Sequence, residues 1–183
     1  MGTKLRNALV AMALAFLTVS ALAEEEVNMT LYATQRYGGN DPERNQVVVV
    51  RPGEVGGFGT TVISDWIVTE NPGHGTTVVA RAKGMHFLTS KTDNDNWVTL
   101  MIIDFQGTRF KGSTIQVMGF IPVEGQWSII GGTGQLTLAR GVVNHNIYQH
   151  VGSARTYQLN FRVFYTPLNA TVPTGSNTMI LEA

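Results

Sequence analysis

Cysteine is absent from all 183 residues, so no disulfide framework, thiolate nucleophile or thiolate metal site is available. Charge is sparse and balanced, with 13 basic residues against 13 acidic ones making up 14% of the chain. No basic stripe is left over to neutralise phosphates, which argues against nucleic acid or an anionic membrane as partner. Long apolar runs are also lacking. The segment Ala8 to Val19, broken only by Thr18, is too short to span a bilayer, and no later run approaches about 20 residues. Helical patterning is missing as well: no window sustains a 3.6-residue period, and 20 glycines argue against long helices.

What is present begins with a targeting signal. Lys4 and Arg6 form a basic start, the apolar run follows, and Ala21-Leu22-Ala23 reads as a small-x-small cleavage site. Residues 1–23 are therefore expected to be a signal peptide and the product to be secreted. Loss of Lys4 and Arg6 tips the even charge balance to the acidic side. Residues 24–167 are expected to form one domain, with 168–183 a small and polar tail, expected to be flexible. In a secreted chain Asn28-Met29-Thr30 and Asn169-Ala170-Thr171 are glycosylation sequons, making Asn28 and Asn169 candidate acceptors. Without cysteine, stability has to come from the core and from contacts between subunits.

Runs rich in Val, Ile, Thr and aromatics recur at roughly 27–35, 45–51, 58–68, 76–88, 96–106, 112–120, 126–130, 135–150 and 155–166. Turn clusters such as Gly38-Gly39-Asn40-Asp41-Pro42 and Gly131-Gly132-Thr133-Gly134 separate them. Short strands with regular punctuation predict an all-β antiparallel barrel or sandwich. The last run alternates most cleanly: Tyr157, Leu159, Phe161, Val163 and Tyr165 share one face, expected to be core or subunit interface.

The glycine cluster at 131–134 is not a phosphate loop. It lacks the following Lys-Ser/Thr, and a strand rather than a helix comes next. The four histidines show no ligand spacing: His145 and His150 are five apart, and His74 falls in a turn. No serine sits on a G-x-S-x-G elbow. What remains is a set of polar groups on otherwise apolar strand faces: Gln35, Asp65, Arg81, His86, Asp104 and Arg140. Asp65 shares its parity with Ile63 and Ile67, Arg81 with Val79, Met85 and Phe87, and Asp104 with Val98, Leu100 and Ile102. Arg140 shares it with Leu136, Leu138 and Val142. A guanidinium desolvated without a partner costs several kcal/mol or more, so these groups form structural ion pairs or line an internal polar pocket. The parity argument predicts that Arg140 points into the barrel and that Gln35 lies inside with Leu31 and Ala33.

The blocks Phe58-Gly59-Thr60-Thr61-Val62 leading to Asp65, Val79-Ala80-Arg81-Ala82-Lys83-Gly84, Phe110-Lys111-Gly112-Ser113-Thr114, and Gly131-Gly132-Thr133-Gly134 with Ala139-Arg140-Gly141 resemble the plant dirigent proteins. The resemblance runs from Leu31-Tyr32 to Phe164-Tyr165. Asp65-Trp66 and Gln126-Trp127-Ser128-Ile129-Ile130 look closest to the grass subgroup often fused to jacalin-type lectins. The resemblance implies an eight-stranded antiparallel β-barrel like that of allene oxide cyclase, assembled as a homo-oligomer, trimer or dimer, in the apoplast. It implies no redox cofactor. It also implies that an oxidase supplies phenoxy radicals of monolignols such as coniferyl alcohol, and that the barrel directs their stereoselective coupling toward lignans.

Two departures bear on the chemistry. Where family members commonly read Tyr-x-His-Asp, this chain has Tyr32-Ala33-Thr34-Gln35, and the acid common after the Gly-Gly-Thr-Gly turn is Gln135. Arg140 and Asp65 are thus the expected catalytic anchors, and Gln35, Gln135, Arg81 and Asp104 the expected pocket residues. The alternative reading is a non-catalytic, defence-related barrel that binds phenolics or carbohydrate.

Overall fold

The computed structural model describes residues 24–53, 57–73, 75–93, 96–107, 109–121 and 124–167. The expected signal peptide, the tail with Asn169, and His74 lie outside these residues. Nine strands follow one another: β1 Glu25–Arg36, β2 Gln46–Val50, β3 Thr61–Thr69, β4 Val78–Leu88, β5 Trp97–Phe105, β6 Thr114–Phe120, β7 Glu124–Thr133, β8 Arg140–Val151 and β9 Ala154–Tyr165. Among the described residues the one helical element is a 3₁₀ turn at Gly134–Leu136.

The sheet runs β1-β9-β8-β7-β6-β5-β4-β3, every neighbouring pair antiparallel. It closes where Tyr32, Ala33 and Thr34 of β1 pair with Thr69, Val68 and Ile67 of β3. This is a closed eight-stranded barrel, and closure removes the exposed edges that an open sheet would present. β1 covers only the second half of β3. β2 takes the first half, pairing Gln46 with Ser64 and Val48 with Val62, and so continues the wall at one end of the barrel.

Alternation places one side chain in two inside. Val27, Leu31 and Ala33 of β1, Trp66 and Val68 of β3, Met101 and Ile103 of β5, and Tyr157, Leu159, Phe161 and Val163 of β9 are all buried. Large and small residues interlock: Trp66 lies beside Ala82 on the neighbouring strand. At Gly119 a Cβ would stand 2.8 Å from Cδ1 of Trp127, so glycine there leaves room for the indole.

The two ends of the barrel differ. One is stoppered by Phe105, Phe110 and Tyr165, whose rings meet edge-on at 5.8 and 6.0 Å, with Leu136 and Ala139 buried nearby. At the other end the inner face turns polar and a cavity opens.

Strand β8 departs from the expected run at 135–150. Gly134–Leu136 forms the 3₁₀ turn, Ala139 N–H donates to the Leu136 carbonyl, and Leu138 takes the left-handed conformation at φ 58°. Two-residue alternation therefore does not hold from Leu136 to Arg140. The strand restarts at Arg140 with Val143 and His145 inward, and Arg140 outward with its side chain 63% exposed.

Candidate active site

The polar end of the barrel holds a cavity of about 360 Å³. β1 and the loop after it contribute Gln35 and Tyr37, β2 Gln46 and Val48, and β4 His86. Trp97 opens β5, Ile121 follows β6, and Arg155 and Tyr157 begin β9. Convergence follows from antiparallel order: the ends of β1, β4 and β6 meet the beginnings of β5 and β9 at the same rim.

Aromatic rings pack behind the lining residues Tyr157 and His86. Trp66 stacks with Tyr157 at 5.4 Å and 4° between planes, and with His86 at 4.9 Å and 29°. His145 lies against Trp127 at 4.5 Å and meets Tyr157 edge-on at 6.3 Å. Burial pushes both imidazoles down to about 4, so they are neutral near pH 7; a pull from the Phe120 carbonyl on His145 does not offset this. That carbonyl accepts the indole N–H of Trp127 at 2.7 Å. Burial also raises the Tyr157 phenol, against the opposing influence of the Arg155 guanidinium.

The rim is polar but carries no acid among the described residues. Gln46 Oε1 accepts from Gln35 Nε2 at 3.0 Å and from the Trp66 indole at 3.4 Å. Tyr37 Oη and His150 Nε2 are hydrogen-bonded at 2.8 Å, and the Arg155 guanidinium lies over the Tyr37 ring at 5.4 Å. Gln35 Oε1, both His86 nitrogens and Arg155 Nε are buried without a hydrogen-bond partner among the described residues. No group of three or more described His, Asp or Glu side chains converges as a metal site.

Of the expected site residues only Gln35 reaches this cavity; His86, singled out as a polar group on an apolar strand face, lines it too. Asp65 and Arg81 pair on the outer wall, Arg81 Nε donating to Oδ1 at 2.7 Å and Nη2 to Oδ2 at 2.8 Å. Hydrogen bonding to Asp65 raises the Arg81 guanidinium. The pair borders an outer cleft of about 480 Å³ beside β2 rather than the interior. Asp104 likewise faces outward, where Lys83 Nζ at 2.6 Å holds its carboxyl below the ordinary range.

Gln135 is exposed on the 3₁₀ turn at the stoppered end, its backbone N–H donating to Ser113 Oγ at 2.9 Å. Arg140 stands at that same end, donating to Glu24 at 2.7 Å and lying over the Phe164 ring. The inward placement expected of Arg140 is thus overturned, because the 3₁₀ turn and the left-handed Leu138 reset the parity on which it rested. For Asp65, Arg81 and Asp104 the parity was right but the sign was not, since the apolar face they share is the outer one. Asn28 is exposed on β1, its amide donating to Glu26 at 3.1 Å.

Sequence reasoning missed Tyr37, Gln46, Trp97, Ile121 and Arg155. For Arg155 the signal was there: continuing the Tyr157–Tyr165 row two residues back arrives at it.

The profile of the Dirigent-like protein family matches residues 26–164. The chain is 31% identical over 150 residues to Dirigent protein 1 of Arabidopsis thaliana, covering 78% of this chain and 80% of that one. It is 32% identical over 123 residues to Dirigent protein 5 of the same plant, covering 63% and 66% respectively. Among solved structures, the pterocarpan synthase dirigent protein GePTS1 superposes with a TM-score of 0.72 at 24% identity, over 81% of this chain and 93% of that one. PsPTS1, a second pterocarpan synthase dirigent protein, gives 0.70 at 22% identity, over 77% and 96%. With a family profile spanning the whole barrel and relatives above 30% identity across most of it, this chain belongs to the dirigent protein family.

Proposed function

We propose that this protein is a secreted barrel that holds oxidase-generated phenoxy radicals and sets the face on which they couple, without oxidising them itself. The observation carrying this reading is the aromatic cavity, with Tyr157 at its floor and His86, Trp97 and Tyr37 in its lining. Its volume, about 360 Å³, lies at the low end of the roughly 300–1,000 Å³ typical of small-molecule sites. A planar phenol stacks on such a floor, and holding it there in one orientation turns a random encounter into a directed one. Monolignols such as coniferyl alcohol leading to lignans are the proposed substrate class. Localisation in the apoplast, homo-oligomerisation as a trimer or dimer, and glycan attachment at Asn28 belong to the same proposal.

The test is a coupling reaction with an oxidase, a panel of phenols including coniferyl alcohol, and this protein, resolved on a chiral column. Enantiomeric excess over the oxidase-only control supports the reading. A racemic product for every phenol removes it.

A second reading is favoured by one observation: none of the described residues lining the cavity is acidic, so proton transfer to a bound intermediate has no carboxyl donor. In that reading the barrel binds a phenolic in plant defence and does no directing. Tight phenolic binding without any enantiomeric excess selects it.

A further inference from the structure

Arg155 differs from the described cations that are held in ion pairs. Arg36, Arg81, Lys83, Arg140 and Arg162 each meet a carboxylate within 3.2 Å. Arg155 meets none among the described residues, although it lines the cavity and its Nε is buried without a partner. Its cross-strand partner on β1 is Gln35, a neutral amide whose nitrogen is committed to Gln46 at 3.0 Å. His86, the nearest titratable group on β4 facing the cavity, is neutral near pH 7. A guanidinium does not lose its proton, so the cavity carries a fixed positive charge and no described counter-charge. Arg155 is half-buried with its Nε out of contact with water, and an anion entering the cavity supplies the carboxylate it otherwise lacks.

Resting on the reading of the cavity as a phenolic site, we infer that its preferred ligand is a planar aromatic bearing a carboxylate, an arylpropenoate rather than the corresponding neutral alcohol. A phenol titrates near 10 and stays neutral at physiological pH, whereas a carboxyl group titrates near 4 and is ionised, so the carboxylate and not the ring hydroxyl supplies the charge. Arg155 and Tyr157 occupy successive inward positions of β9, about 6.6 Å apart along a strand. A three-carbon acid side chain bridges that interval, its ring toward Tyr157 and its carboxylate on the guanidinium, whose fork donates to it bidentately.

Calorimetric titration of the secreted protein with ferulate and with coniferyl alcohol tests this, because the two share a ring and differ at the end of the side chain. The expected result is ferulate binding about tenfold or more tighter. Arg155→Met, which keeps the stem, and Gln35→Glu, which supplies a protein carboxylate opposite Arg155, should each reduce ferulate to the level of the alcohol. Arg155→Lys should retain part of the preference. If Arg155→Met does not fold, Gln35→Glu decides. Equal binding of the two compounds by the natural protein overturns the charge preference and leaves the phenolic site standing. Binding of neither overturns both readings. A ferulate preference that survives in the variants overturns the role of Arg155.

Discussion

Trp66 on β3 and Tyr157 on β9 lie 5.4 Å apart with their ring planes 4° from parallel, across the seam where β1 closes the barrel. The pair joins the core to the floor of the cavity, so stability and ligand geometry depend on the same contact. Trp66 is fully buried, and its neighbour Ala82 cannot expand to fill the space it occupies. Trp66→Ala should therefore cost about 3–5 kcal/mol, read as a lower midpoint in urea unfolding. A loss below about 1 kcal/mol would show that the stack is not part of the core.

His86 and His145 give the fold a dependence on pH. Burial lowers both from 6.5 to about 4. Between those values the unfolded chain takes up protons that the folded chain refuses, so stability is full above about 6.5 and falls as the pH drops toward 4. Each imidazole accounts for at most roughly 3 kcal/mol of that fall. His86→Phe should flatten the urea midpoint across this window relative to the natural protein. Parallel curves for the two proteins would show that His86 is not the source.

Gly84 faces inward on β4, where an added Cβ would stand 2.0 Å from the Leu100 carbonyl oxygen and 2.8 Å from Met101 Cα. Those are backbone atoms of the adjoining strand and cannot swing aside. Gly84→Ala is expected to destabilise by about 1–3 kcal/mol or more. Unchanged thermal unfolding would mean that β4 and β5 can separate without loss.

Arg140, part of a block that resembles the family yet located at the stoppered end, is a surface residue in this chain. Arg140→Ala should change stability by no more than about 1 kcal/mol and leave phenolic binding at the opposite end untouched. A tenfold loss of phenolic affinity would contradict the placement of the site.

The outer wall of β5 and β6 exposes Leu100 at 40%, Ile102 at 45% and Met118 at 47%, an apolar surface flanked by the Lys83–Asp104 pair. The proposed homo-oligomer is expected to bury it. Light scattering should report a trimer or dimer at micromolar concentration, and Leu100→Glu should yield a folded monomer. A natural protein that is monomeric refutes this assembly.

The sequence by itself determined the class of fold and the family. Its turn clusters and alternating runs mark the same nine strands, eight of which close the barrel, because a period of two is a local property of the chain. The row from Tyr157 to Tyr165 was legible as one face for that reason. Parity, however, says which residues share a face and not which face is inside. On β3, β4 and β5 both faces are apolar, so parity left Asp65, Arg81 and Asp104 free to enter the core, and only closure of the sheet put them on the outer wall. At Arg140 even parity failed, because a 3₁₀ turn and one left-handed leucine reset it over five residues. The cavity was least legible of all. Its walls come from β1, β2, β4, β5, β6 and β9, and the pairing of Gln35 with Arg155 joins positions far apart in the chain. That meeting is made by strand register and barrel closure, which are set by the packing of the whole core and not by any one segment.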